Sequence, residues 1–487
     1  MGLLGILIAL GLLIWLAYRA WSVLLLAPAA AVLAAGLAGE PLLAHWTQTF
    51  MGSAARFIMQ FFPIFLLGAL FGKLMEDSGS VSAIARFMTE RLGPRRSVLA
   101  VVLAGALVTY GGVSLFVAFF VLAPMAHELF RAAQIPKRLM PAAIALGTST
   151  FTMSALPGTP AIQNAIPMPF FGTTPFAAPG LGIIASAIML GFGLWWLSRA
   201  EAKARRKGEG YGVDAIAAHD ATHDAASDPI VRERAITSGA FDPAEISHGD
   251  QSKDGPPIGL AMLPLAIVVG VNLLMSLFVL RRLDASFLAN EAWGSTSLSA
   301  VGGVWAVVTA LAAAIVVLVA LNYRRLPTLR ASVDAGANAS VLPVLSVASL
   351  VGFGSVVAAL PAFELVRSWV LGIEGGPLVS LAVATNVLAS LTGSASGGLT
   401  IALDALGDAY MQIAAKQGID PALMHRVAVI GAGTLDSLPH NGAVVTLLAV
   451  CGSTHRESYL DIVVVSIVGA LIALAAVIVL GSALGSF

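Results

Sequence analysis

The chain has 487 residues, 58% hydrophobic and 11% charged, with no net formal charge and a mean hydropathy of +0.88. Soluble domains carry roughly 25% charged residues, so this composition excludes an ordinary soluble fold and predicts a polytopic helical membrane protein. The neutral total gives nucleic acid no electrostatic footprint, and the single cysteine, Cys451, excludes a disulfide framework or a cysteine zinc site.

The N-terminus "MGLLGILIALGLLIWLAYRAW" has no basic stretch before its apolar run, and its first positive charge is Arg19. That order predicts a retained first span with the N-terminus outside rather than a cleaved signal. Spans are read near 2–18, 21–38 and 56–76. The apolar block 97–130 is longer than the ~20 residues that cross a bilayer, and "TYGGVS" interrupts it. Arg95 and Arg96 precede it, and Arg131, Lys137 and Arg138 follow it. Both flanks therefore belong on the cytoplasmic side, which predicts a re-entrant hairpin. A Gly/Pro-broken helix follows at 139–168 and a span at 176–198.

Residues 199–257 are polar and charged, and are expected to form a poorly ordered cytoplasmic linker. Spans resume at 258–280, 298–322 and 340–361. A second hairpin is expected at 377–415, interrupted by "LTGSASGGL". A second broken helix is expected at 424–452, and a final span at 459–484 ends on the outer side.

The stretches 135–161 and 419–443 align at one offset, which pairs Leu139-Met140 with Leu423-Met424, Gly147 with Gly431 and Thr150 with Thr434. After a two-residue slip, Leu156-Pro157 meets Leu438-Pro439. Residues 1–198 and 258–487 therefore read as two repeats, and the positive-inside rule inverts them. Paired inverted repeats with broken helices are the mark of secondary transporters. A broken helix exposes N–H groups that favour an anion at one end and carbonyls that favour a cation at the other.

The candidate substrate-binding residues come from the hairpin tips and breaks. They are Thr109, Gly111, Gly112 and Ser114; Thr148, Ser149, Thr150 and Thr159; and Ser394, Ser396, Gly397 and Asn441. Thr152, Ser154, Gln163, Asn164, Thr392 and Gly398 lie among them. No charge falls between Arg138 and Arg199, so a carboxylate at the first break is expected to meet dipoles and hydroxyls rather than an arginine. Asp436 and His440, inside the second break, are the candidates for proton coupling, since ionisable groups within a membrane are functional by default. The structural alternative is a cap made by Asp436. His219 and His223 in "HDATH" have helical metal-ligand spacing but lack a third ligand, so no metal or other cofactor is expected. The sequence has no HExxH or GxSxG, which argues against a membrane enzyme.

"LLGALFGKLMEDSGSVSAIA" (66–85) and "GTLDSLPHNGAVVTLLAVCGSTHRESY" (433–459) resemble the gluconate permease (GntP) family of the ion transporter superfamily, and most nearly its D-β-hydroxybutyrate permease branch. Gluconate-type members have a His-Pro-rich first break, whereas this chain reads "MSALPGTPAIQNAIP" at 153–167. The resemblance implies import of a small hydroxy-carboxylate across the bacterial inner membrane with a proton, two inverted repeats, an elevator-like movement and, often, a dimer. Proton symport of gluconate or another sugar acid, and sodium-coupled carboxylate transport, are the alternatives within transport.

Overall fold

The computed structural model describes residues 2–17, 19, 21–212, 228–238, 241–252 and 254–487. His219 and His223 lie outside the described residues. Among the described residues the secondary structure is helical throughout, as a long apolar chain requires when its backbone must satisfy itself in lipid. Among the described residues, seven helical stretches are long and apolar enough to cross a membrane: Leu42–Asp77, Leu115–Ala132, Pro179–Arg206, Ile258–Arg282, Leu298–Arg325, Leu329–Ala359 and His455–Leu484. The protein is an all-α polytopic membrane protein.

The first half begins with two short helices, α1 (Gly2–Ala17) and α2 (Val23–Ala38), packed on each other. The long α3 (Met51–Asp77) and the short amphipathic α4 (Ser80–Leu92) come next. A helical hairpin, α5 (Ser97–Tyr110) and α6 (Leu115–Ala132), leads to α7 (Met140–Thr148). After α7 the chain continues as short turns, Phe151–Ser154, Ile162–Ala165 and Pro167–Phe171, before the long α8 (Pro179–Arg206). Pro157 and Pro160 keep these pieces apart, because each lacks an N–H and drives the preceding residue out of the helical region.

Helix α9 (Pro229–Ser238) follows, and then the order of the first half recurs. Helices α10 (Ile258–Leu274) and α11 (Leu298–Asn322) pack on each other. The long α12 (Leu329–Ala359) packs along α3, and the short α13 (Phe363–Leu371) comes after it. A hairpin of α14 (Pro377–Thr392) and α15 (Ala395–Gln417) leads to α16 (Pro421–Thr434), a break, and α17 (Gly442–Val450). The chain closes with α18 (His455–Ile462), which runs through a π-helical segment into α19 (Gly469–Leu484).

The aligned glycines occupy corresponding contacts. A Cβ on Gly147 would stand 2.4 Å from Val102 O on α5, and one on Gly431 would stand 2.4 Å from Thr385 Oγ1 on α14. In each half, then, the arm before the break presses a glycine against the first arm of its hairpin.

The hairpin interruptions are tighter than the sequence reading has them. Tyr110 ends α5 and only 111–114 turn; in the second hairpin the turn is Gly393-Ser394, while Ser396, Gly397 and Gly398 already belong to the first turn of α15. Glycine is needed at Gly112 (φ +102°) and Gly393 (φ +64°), where the backbone is left-handed.

The expectation of a poorly ordered linker over 199–257 does not hold where its apolar side chains find a surface. Residues 199–206 extend α8, and α9 buries Val231, Ala235 and Ile236 against α17 and α12. Phe241 is fully buried, and the Asp242 carboxylate accepts two bonds from Arg232 at 3.0 and 2.7 Å. Helix α9 sits so close to the start of α17 that a Cβ on Gly442 would lie 1.8 Å from Arg234 O. Gly442→Ala is therefore expected to lift α9 off at a cost of about 1–3 kcal/mol. Limited trypsin digestion should then cleave at Arg232 and Arg234 faster than in the unaltered protein, and an unchanged cleavage rate would show that α9 does not depend on this contact.

Candidate functional site

Each half brings a hairpin tip against its own break, but the two tips are held in different ways. In the first half the tip is anchored by backbone carbonyls. Tyr110 donates its hydroxyl across to Pro157 O at 2.9 Å, while Thr109 donates back to Gly105 O of its own helix at 2.8 Å. A Cβ on Gly112 would stand 2.8 Å from Pro160 Cγ, and one on Gly111 would overlap Leu265. These two glycines allow close packing of the tip. Ser114 caps α6 by accepting from Phe116 N.

The hydroxyls of the first break mostly turn back on their own chain. Thr148 donates to Ile144 O at 2.8 Å, Thr150 to Leu146 O at 2.7 Å and Ser154 to Thr150 O at 3.0 Å. Thr152 points to Gly147 O and Thr148 O. A hydroxyl has one proton, so in this conformation these four have none to give an anion. Ser149 shares a bond with Thr148, and Thr159 accepts from Ala161 N.

Between this tip and this break lies a cavity of about 60 Å³. Its polar side chains are Thr109, Ser114 and Gln163; the rest of its wall is apolar or glycine. Gln163 is buried, and its Oε1 has no hydrogen-bond partner. The first-turn N–H groups of α6, which have no carbonyl inside their own helix, begin at the same wall.

In the second half three side chains of the break grip the tip. Asp436 Oδ1 accepts from Ala395 N at 2.9 Å, at the start of α15, and also from Asn441 Nδ2. Asn441 Nδ2 also donates to Gly393 O at 2.8 Å, while its Oδ1 caps α17 by accepting from Ala443 N at 2.7 Å. His440 Nε2 bonds Ser390 O at 3.0 Å. Ser394 caps α15 by accepting from Gly397 N, and lies 3.2 Å from the Ser396 hydroxyl. Asp436 is thus a cap, with the negative charge that a helix N-terminus favours, although it caps the neighbouring hairpin rather than its own helix. A small cavity of about 30 Å³ lies beside His440, Thr392 and Gly393, bounded by α1 and α9.

The two breaks meet where a Cβ on Gly433 would stand 2.9 Å from Ser154 Cβ. Close to this crossing is a charge that the sequence reading passes over. Arg426 is fully buried on α16, and it donates to Ala177 O at 2.7 Å and to Asn164 Oδ1 at 3.3 Å. The adjacent His425 bonds Thr173 Oγ1 at 2.6 Å and Asn164 Oδ1 at 3.2 Å. Asn164 in turn donates to Thr159 O and Pro175 O, both at 3.0 Å. An arginine does, therefore, reach the first break, but it comes from the second half of the chain. The signal was present as two ionisable residues within "MHRVAVI", which reads as an apolar approach to the break.

A second buried cluster falls on the "GKLMEDSG" stretch. Lys73 Nζ lies 2.9 Å from Asp77 Oδ1 and 3.7 Å from Glu76 Oε2, and donates to Ile246 O at 2.7 Å. Glu76 Oε2 and Asp77 Oδ2 are buried without a hydrogen-bond donor.

The sequence pattern of GntP family permeases matches residues 1–170. The chain is 40% identical over 474 residues to an uncharacterized transporter, YxjC, of Bacillus subtilis, covering 96% of each protein. It is 38% identical over 106 residues to the high-affinity gluconate transporter of Escherichia coli, a stretch that covers 21% of this chain and 23% of that one. In fold it is similar to Neisseria gonorrhoeae MtrF, described as one of a class of antimetabolite efflux pumps, with a TM-score of 0.51 and 14% identity over 90% of this chain and 83% of that one. With the helical architecture, the paired hairpins and breaks, and a relative this similar over nearly the whole length, the chain belongs to the GntP family of permeases and is a membrane transporter.

Proposed function

We propose that this permease imports a short hydroxy-monocarboxylate, of the size and polarity of 3-hydroxybutyrate, by proton symport with alternating access. The observation that carries the substrate class is the cavity at the first tip. Its unpartnered Gln163 Oε1 calls for a hydroxyl donor, and the start of α6 calls for an anion. A six-carbon polyol acid would need many more polar partners than Thr109, Ser114 and Gln163 provide. In this reading the hairpins are re-entrant, the halves are inverted, the chain lies in the bacterial inner membrane with both termini outside, and 199–257 is cytoplasmic.

Coupling is assigned to Asp436, with His440 beside it. A carboxylate holds Ala395 N at the start of α15; once protonated it loses its charge-assisted grip, and the tip is released. Asn at this position keeps an acceptor oxygen and loses the charge. Proteoliposomes given an inward proton gradient should accumulate 3-hydroxybutyrate, and Asp436→Asn should abolish the accumulation while leaving downhill exchange. A preference for gluconate over 3-hydroxybutyrate would remove the substrate assignment. Undiminished accumulation by Asp436→Asn would remove the coupling assignment, and dependence on a sodium gradient at fixed pH would replace the proton with sodium.

A further inference from the structure

A large cleft in the described residues lies away from the hairpins. It is an open groove of about 1140 Å³ between the end of α8 and the start of α18. Six cations line it, Arg138, Arg199, Lys203, Arg206, Lys207 and Arg456, against three carboxylates.

All three carboxylates are already engaged. Glu209 and Asp461 each lie 2.7 Å from Arg138, and the bond from Arg138 holds the Glu209 carboxyl below its ordinary range. Glu457 accepts from Thr454 N and Oγ1 in the capping box of α18. Lys203, Arg206 and Arg456 have no ion pair among the described residues. Beside these charges is apolar surface: Trp195 is 49% and Leu460 70% exposed, and Arg199 lies over the Trp195 ring at 5.1 Å. Tryptophan at the end of a spanning helix marks the headgroup level of a bilayer.

We propose that this groove binds an anionic phospholipid of the leaflet at which α8 ends, with the headgroup phosphate on Lys203, Arg206 and Arg456 and an acyl chain along Trp195 and Leu460. The cations at the end of α8 also complement its helix dipole, but that role needs neither the exposed Trp195 and Leu460 nor Arg456, which reaches the groove from another helix. Basic grooves between spanning helices are a recurrent form of headgroup recognition.

Native mass spectrometry of the full-length protein in detergent, titrated with phosphatidylglycerol or with phosphatidylcholine, tests this. Phosphatidylglycerol adducts should persist where phosphatidylcholine is lost. Each removed cation should weaken retention about fivefold, and Lys203→Gln with Arg206→Gln and Arg456→Gln should weaken it about a hundredfold. Arg281→Gln with Arg282→Gln, two exposed cations at the end of α10's extension, should leave it unchanged. Single variants at Lys203 and Arg456 keep the test open if the triple variant does not fold. Equal retention of the two lipids would overturn the proposal, as would loss in the Arg281/Arg282 control. Full competition by glycerol phosphate would make this a soluble-anion site instead, and a lipid-independent dimer through this face would assign the groove to a second copy of the chain.

Discussion

Lys73→Met is expected to destabilise the folded protein by about 3–5 kcal/mol, a large share of the roughly 5–15 kcal/mol by which a protein is usually stable. The ammonium is 1% exposed and is the cation that faces Asp77 (1%) and Glu76 (7%). Removing it leaves two buried carboxylates in which Glu76 Oε2, the oxygen nearest the ammonium, and Asp77 Oδ2 already lack hydrogen-bond donors. It also removes the donor to Ile246 O, so the linker after α9 loses one of its ties to α3, the bond from Ser252 N to Asp77 O remaining. Thermal unfolding of the purified protein in detergent should show the loss. The combination Lys73→Met, Glu76→Gln and Asp77→Asn should recover most of it, because the uncompensated charge is then gone. A single variant as stable as the unaltered protein would show that the cluster carries no such weight.

Gly398→Ala should be the next most damaging. Its Cβ would stand 2.2 Å from Ala389 N, 2.3 Å from Ala389 Cα and 2.4 Å from Leu388 C. All three atoms are backbone, so no rotamer relieves the overlap and the two arms of the second hairpin must separate. Overpacking usually costs about 1–3 kcal/mol; this change should reach the upper end, and it should carry the start of α15 away from Asp436. Gly397→Ala is the control, since its nearest neighbour is the movable Leu350 Cδ1 at 2.8 Å. The expected result is a lower unfolding temperature and lost uptake in Gly398→Ala, with a milder change in Gly397→Ala. Equal effects would show that the hairpin is not held by this contact.

Much of the architecture was legible in the sequence because lipid leaves a chain few choices. Apolar length marked the long helices, and Gly-Gly and Gly-Ser marked the turns between hairpin arms. Pro157, Pro160 and Pro439 marked the breaks, since proline cannot donate to the helix ladder. The packed part of the linker, 228–238 and 241–247, escaped the sequence reading because composition scores polarity and cannot see that Val231, Ile236 and Phe241 have a surface waiting.

By itself the sequence determined the class and the polar residues stationed at each interruption. The tertiary structure decided what those polar residues do. A hydroxyl's role depends on where its one proton goes, and Thr148, Thr150 and Ser154 spend theirs on their own backbone. Asp436 is a cap because a hairpin distant in sequence sets its N–H group within reach. Arg426 reaches the first break because the two breaks cross, and Gln163 Oε1 is left without a partner at the wall of the cavity beside the first tip. Spacing along the chain carries no information about such encounters, since the groups that meet are brought together only by packing.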